Sequence, residues 1–168
     1  MKKALIIIDM QNDFVDGALA NPMAQAIVQP IVDFTNAFDG AIIATRDTHQ
    51  ENYLETSEGK MLPVPHCVHG TRGWEIVTPI ANVLTQRKAK FVDKPTFGYL
   101  DWDFLSEYEE VTLVGTCTDI CVVSNALVLK AKFPNLILNV KGDLCAGTTK
   151  ENHEAALKVM ACCQVNLL

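Results

Sequence analysis

The sequence predicts an α/β fold: a three-layer αβα arrangement with a mostly parallel, roughly six-stranded sheet and helices on both faces. Short β-branched or apolar runs alternate with helical patterns along the chain, and such alternation implies parallel strands joined by crossover helices. Several of the runs are apolar on both sides of the alternation, as strands covered on both faces are. The 168 residues amount to a single domain, 1–168, at about 150 residues per domain.

The first strand is expected over Ala4–Ile8, where five apolar residues end at Asp9. An amphipathic helix follows from about Ala24 to Phe38, with Ile27, Ile31, Phe34 and Phe38 on one stripe. Pro30 argues against an unbroken helix there. Ala41–Thr45 and Phe91–Val92 read as the second and third strands, with a short helix towards Gln86 between them. Thr78-Pro79 supplies its cap and first helical residue. Val111–Val114 is the fourth strand. The stretch from Asp119 to Lys132 is apolar nearly all round, a buried helix stopped by Pro134. Leu136–Val140, a helix over Lys150–Cys162 and Gln164–Leu168 complete the pattern.

Composition excludes several functions. Acids exceed bases to give a formal charge of −6, which repels phosphate backbones, so no nucleic-acid partner is expected. With 49% apolar and 20% charged residues the chain is globular in composition. No apolar run reaches the roughly 18 residues of a membrane span, and Asp9 interrupts the only signal-like start, so the expectation is a soluble cytoplasmic protein with no membrane partner. The six cysteines are then free thiols in a reducing compartment.

In open parallel sheets, ligands sit beyond the carboxyl ends of the strands. That rule selects Asp9, then Arg46, Asp47 and His49, then Asp93 and Lys94, then Gly115 to Cys121, and Lys141 to Gly147. Cys121 falls in the first turn of the buried helix, with Thr118 or Asp119 as cap. A helix N-terminus favours thiolate over thiol, and a nearby Lys94 favours it further, so the sulfur is expected to be ionised. Asp9 would carry protons to and from it. The plainer readings are a buried apolar thiol, an Asp9 that caps its own turn and a solvated Lys94. Backbone amides around Gly115–Cys117 and at Cys121 could stabilise an oxyanion. Cys117 and Cys121 lack the Cys-x-x-Cys spacing of a redox pair.

A metal site is the second candidate. In an extended Asp47-x-His49 segment both side chains point one way, and His66 supplies a second imidazole. One carboxylate and two imidazoles suit zinc, manganese or iron, with Glu58 or Glu55 as a fourth ligand. His69 follows the turn and should point elsewhere, and His153 reads as an ordinary surface histidine.

These residues resemble a family. Ala4–Phe14 (ALIIIDMQNDF), Thr45–His49 (TRDTH), Pro65–Thr71 (PHCVHGT), Asp93-Lys94 and Val114–Val122 (VGTCTDICV) occur in that order. Together they resemble the isochorismatase-like cysteine hydrolases, within them the nicotinamidase/pyrazinamidase branch. Asp143-x-Cys145-Ala-Gly147 looks like the family's fifth strand and loop. The resemblance implies a triad of Asp9, Lys94 and Cys121, an oxyanion hole from the Cys117 and Cys121 amides, and a cis peptide at Thr116–Cys117. Asp47, His49 and His66 map onto metal ligands, and Glu58 onto a glutamate ligand of some branches. Phe14 maps onto an aromatic that packs on a pyridine ring. The aromatic usual before Pro-x-His is replaced by Leu62-Pro63-Val64, so Phe97, Tyr99, Tyr53 or Trp74 would line the ring pocket instead.

The implied activity is a metal-assisted cysteine amidohydrolase, nicotinamide to nicotinate, in NAD salvage. One divalent ion, zinc before manganese or iron, a small-molecule amide substrate and a homo-oligomer belong to the same expectation. The alternative is a hydrolase of this fold acting on another small amide, a carbamoyl compound or an isochorismate-like vinyl ether, branches without the Asp-x-His…His set. A non-catalytic ligand-binding protein and a structural zinc protein are the rivals from other classes. Selective alkylation of Cys121 discriminates against the first, and unfolding on metal removal identifies the second.

Overall fold

A computed structural model describes residues 1–168. Six parallel strands form one sheet: β1 (Lys3–Ile8), β2 (Ala41–Asp47), β3 (Lys90–Lys94), β4 (Glu110–Thr116), β5 (Ile137–Ala146) and β6 (Asn166–Leu167). Their spatial order is β3-β2-β1-β4-β5-β6, so the winding direction reverses between β1 and β4. Four longer helices cover it: α1 (Pro22–Ala37), α2 (Thr78–Gln86), α3 (Val123–Lys132) and α4 (Lys150–Cys162).

Side-chain alternation along β1 builds the three layers. Ala4, Ile6 and Ile8 pack with Val122, Ala126 and Leu129 around α3, and with Met160 of α4. Leu5 and Ile7 point the other way, onto Ala24, Ile27 and Ile31 of α1 and Ile80 and Leu84 of α2. A strand with helices on both faces has no polar side, which is why its sequence is continuously apolar.

Three local expectations are corrected. The helix α1 runs through Pro30 without a break, because Pro30 faces solvent, where water can satisfy the carbonyl that loses its amide partner. Phe34 and Phe38 pack half-buried on the core that holds Ile27 and Ile31, as expected, and Thr35 is buried beside them, its hydroxyl donating to Ile31 O at 2.7 Å. Val77 caps α2 by its backbone, and Thr78 is the first helical residue. Strand β5 continues past Val140 to Ala146, with a register shift opposite Leu113–Gly115. Lys141 and Asp143 therefore lie within the strand, and the rim after it begins at Gly147.

Candidate active site

The reversal between β1 and β4 opens a crevice at the strand ends, as the rule for open parallel sheets requires. Asp9 leaves β1 in a left-handed turn at φ +49°, closed by the Gln11 amide donating to Asp9 O at 2.7 Å. An aspartate tolerates that conformation better than a β-branched residue. Its carboxylate accepts from Thr45 Oγ1 at 2.6 Å, and Thr45 Oγ1 accepts from the Asp9 amide at 3.2 Å. Lys94 ends β3 directly beside Asp47 of β2. Glycine is required at Gly115, where φ is +117° and a Cβ would lie 2.2 Å from Ile8 O. That close approach brings the end of β4 against β1.

After β4 comes a cis peptide at Thr116–Cys117, then one wide turn, Thr118–Val122, in which the Val122 amide donates to Cys117 O at 3.0 Å. Cys121 sits in this turn. Neither Thr118 nor Asp119 caps it, which corrects the expected cap. Instead Thr118 Oγ1 lies 2.8 Å from His153 Nδ1, and Asp119 accepts from the Thr148 amide at 2.8 Å. The turn is thereby tied to the start of α4, a role for His153 that the sequence did not signal.

The three expected catalytic side chains meet. Lys94 Nζ lies 2.6 Å from Asp9 Oδ2 and 3.5 Å from Cys121 Sγ. Asp9 and Lys94 are fully buried and Cys121 is nearly so. Burial pushes the Cys121 thiol well above its ordinary value, Asp9 adds to the rise, and Lys94 opposes it only in part. Burial therefore works against the ionisation expected of this sulfur: one helical turn does not replace the hydration lost beside a carboxylate. Burial also raises Asp9, against the pull of Lys94. Burial disfavours the Lys94 ammonium, but the Asp9 carboxylate, and Asp47 with it, reverse the shift, so it stays charged.

A second cluster adjoins the first. Asp47, His49, Glu58 and His66 bring one donor atom each to within 4.8 Å of one another. Asp47 Oδ2 lies 2.9 Å from His49 Nε2 and 3.6 Å from His66 Nε2, and Glu58 Oε1 lies 3.6 Å from both imidazoles. A tetrahedral ion with bonds of about 2.0–2.1 Å needs donor spacings of about 3.3–3.4 Å; three of these spacings are 3.6 Å and all lie within 4.8 Å, so small side-chain shifts bring the four donors onto one ion. His66 Nδ1 donates to Val64 O at 2.8 Å, so Nε2 is the ring nitrogen turned towards the cluster and, when unprotonated, offers it a lone pair. Asp47 Oδ1 is buried without a hydrogen-bond partner, 3.7 Å from Lys94 Nζ. Glu58 comes from the short helix Ser57–Met61, capped by Thr56 Oγ1 accepting from the Gly59 amide at 3.0 Å. Exposed Glu55 and His69 stay outside the cluster, His69 stacking on Trp74 at 4.6 Å.

Phe14 and Phe97 line a cleft over both clusters, together with Cys117 and Cys121. Phe14 meets the His66 ring edge-on at 5.6 Å. Tyr99 is not a wall: its ring packs on Trp102 at 5.0 Å, in the core beside α3. Tyr53 packs behind His49 at 4.7 Å, and Trp74 Nε1 donates to Thr48 Oγ1 at 2.9 Å, so neither lines the cleft.

Three positioning residues escaped the sequence reading. The buried Gln11 amide donates to Asp47 O and Trp74 O, both at 2.8 Å, and accepts from the Asp47 amide at 2.7 Å. Asp13 Oδ2 accepts from the Cys67 amide at 2.8 Å, beside His66. Asn125 joins the nucleophile turn to the Phe97 loop, donating to Cys121 O at 2.8 Å and to Phe97 O at 3.0 Å. Asn125 stands out as a polar residue in a largely apolar helix, whereas Gln11 and Asp13 sit in a polar run after the first strand that gives no sign of their partners.

A model of the isochorismatase domain matches residues 3–167. The nicotinamidase/pyrazinamidase of Mycobacterium tuberculosis is 31% identical over 184 residues, covering 99% of this chain and 98% of that one. The crystal structure of pyrazinamidase/nicotinamidase from Streptococcus mutans superposes with a TM-score of 0.87 at 30% identity, covering 99% and 100% of the two chains. The pyrazinamidase of Pyrococcus horikoshii, solved in complex with zinc, gives a TM-score of 0.81 at 26% identity, covering 100% and 99%.

Proposed function

The chain belongs to the isochorismatase domain family, and from that premise we propose that it is a nicotinamidase, hydrolysing nicotinamide to nicotinate and ammonia through a thioester on Cys121. The observation that carries this reading is one buried ammonium serving two centres. Lys94 Nζ stands 2.6 Å from Asp9, 3.5 Å from Cys121 and 3.7 Å from Asp47 of the ligand cluster.

In this mechanism Cys121 Sγ attacks the amide carbon while its proton passes to Asp9. Transfer accompanies attack because burial disfavours a free thiolate. Lys94 remains beside the developing sulfur anion, and the Cys117 and Cys121 amides donate to the oxyanion. Asp9 then gives its proton to the leaving nitrogen; ammonia departs and the thioester remains. Water surrenders a proton to Asp9 as its oxygen attacks the thioester carbon, and collapse returns that proton to sulfur and frees the acid. Phe14 and Phe97 confine the ring. Asp47, His49, Glu58 and His66 would hold a divalent ion, zinc being the first choice for this donor set. When bound, the ion supplies a Lewis-acid anchor for the pyridine nitrogen.

The same reading places the enzyme in NAD salvage, in the cytoplasm and in a homo-oligomer. Ammonia release from nicotinamide, measured with added zinc, manganese or iron(II), tests the activity. Turnover is expected with at least one metal; its absence with all three rejects the reading.

A further inference from the structure

The cleft exceeds what a lone pyridine carboxamide fills. Its volume is about 1030 Å³, at the top of the roughly 300–1,000 Å³ typical of pockets that bury drug-sized ligands. The reactive floor, formed by the ligand cluster and Cys121, is buried, whereas the apolar walls are not. Met61 is 88% exposed, Phe97 42% and Leu62 38%. Leu19 and Ile120 add further apolar surface. No lysine or arginine lines the cleft, because Lys94 is sealed beneath it. A carboxylate or phosphate on the substrate would lose hydration there with no side-chain counterion in return. An apolar group would cover the exposed walls and leave water itself.

Resting on the nicotinamidase reading, we propose that the preferred substrates are aromatic carboxamides bearing an uncharged apolar substituent, seated against Met61, Leu62 and Phe97. The chemistry is unchanged: the amide and water give the substituted acid and ammonia.

The test compares kcat/KM of the metal-loaded enzyme on nicotinamide, 5-phenylpyridine-3-carboxamide and 5-carboxypyridine-3-carboxamide. The phenyl amide is expected to exceed nicotinamide about tenfold, a 1.4 kcal/mol preference, and the carboxy amide to fall below nicotinamide. A phenyl amide at or below nicotinamide overturns the proposal, as does a carboxy amide at or above it. Met61→Asp places a charge in the wall and should lower the phenyl-to-nicotinamide ratio about tenfold; an unchanged ratio removes Met61 from the wall that selects. Nicotinamide turnover with a poor phenyl amide defeats this inference alone. Turnover of the phenyl amide but not of nicotinamide defeats the nicotinamide assignment alone, and no ammonia from either defeats both.

Discussion

In the proposed mechanism Lys94 and Cys121 do different work, and their substitutions should separate chemistry from stability. Cys121→Ala removes the proposed nucleophile from a buried position. Ammonia release should fall by roughly 10⁴-fold or more, while the urea midpoint shifts little. Lys94→Met instead strands two buried carboxylates, Asp9 and Asp47. It should cost about 3–5 kcal/mol in urea unfolding, the range for breaking a buried pair. A Lys94→Met protein as stable as the parent contradicts the ion pair. The sign of the pH dependence follows from Asp9, which must be ionised to accept the thiol proton. Burial raises its pKa above 3.8 and Lys94 opposes the rise. Activity therefore falls as pH drops through an acid limb lying above the ordinary carboxylate value, and Lys94→Met moves that limb higher. Iodoacetamide alkylation should report the matching change at sulfur, since loss of the ammonium raises the Cys121 thiol. An unchanged alkylation profile would remove Lys94 from the mechanism.

Among the elements, the ends of β1, β2 and β4 hold the site through contacts that sequence periodicity does not encode. Gln11 locks the Asp47 backbone by two hydrogen bonds, at 2.7 and 2.8 Å, and donates a third to Trp74 O at 2.8 Å. Gln11→Leu leaves those groups unpaired, at about 1–3 kcal/mol for each. It should also weaken metal binding 10–100-fold, as loss of an orienting partner does. Competition with a metallochromic chelator measures this, and undiminished affinity would contradict the positioning role. Gly115→Ala drives a Cβ to 2.2 Å from Ile8 O at a positive φ, so the crevice must widen or the chain unfold. Soluble protein with parental melting temperature and activity would contradict the close approach. The strand ends were legible as reactive because Asp9, Asp47 and Lys94 follow apolar runs. The extension of β5 was not legible: Lys141 and Asp143 are tolerated there because a register shift and partial exposure admit charge into the strand.

For the whole molecule, the ligand cluster draws on β2, on the Ser57–Met61 helix and on the loop carrying His66, while the two apolar cores pack without it. Chelation should therefore abolish hydrolysis of pyridine carboxamides yet leave the far-ultraviolet circular dichroism intact. Coincident unfolding would favour a structural metal instead. Local features alone determined the three-layer class, the order of its elements and the residues of both clusters, because hydrophobic period and short motifs survive in one dimension. Tertiary structure decided that burial works against ionisation of the sulfur, that Gln11 holds Asp47, that Tyr99 belongs to the core, and that Met61 and Leu62 wall an open cleft. Each of these depends on how much water a group loses and which distant group replaces it, and that is set only when the strand ends converge.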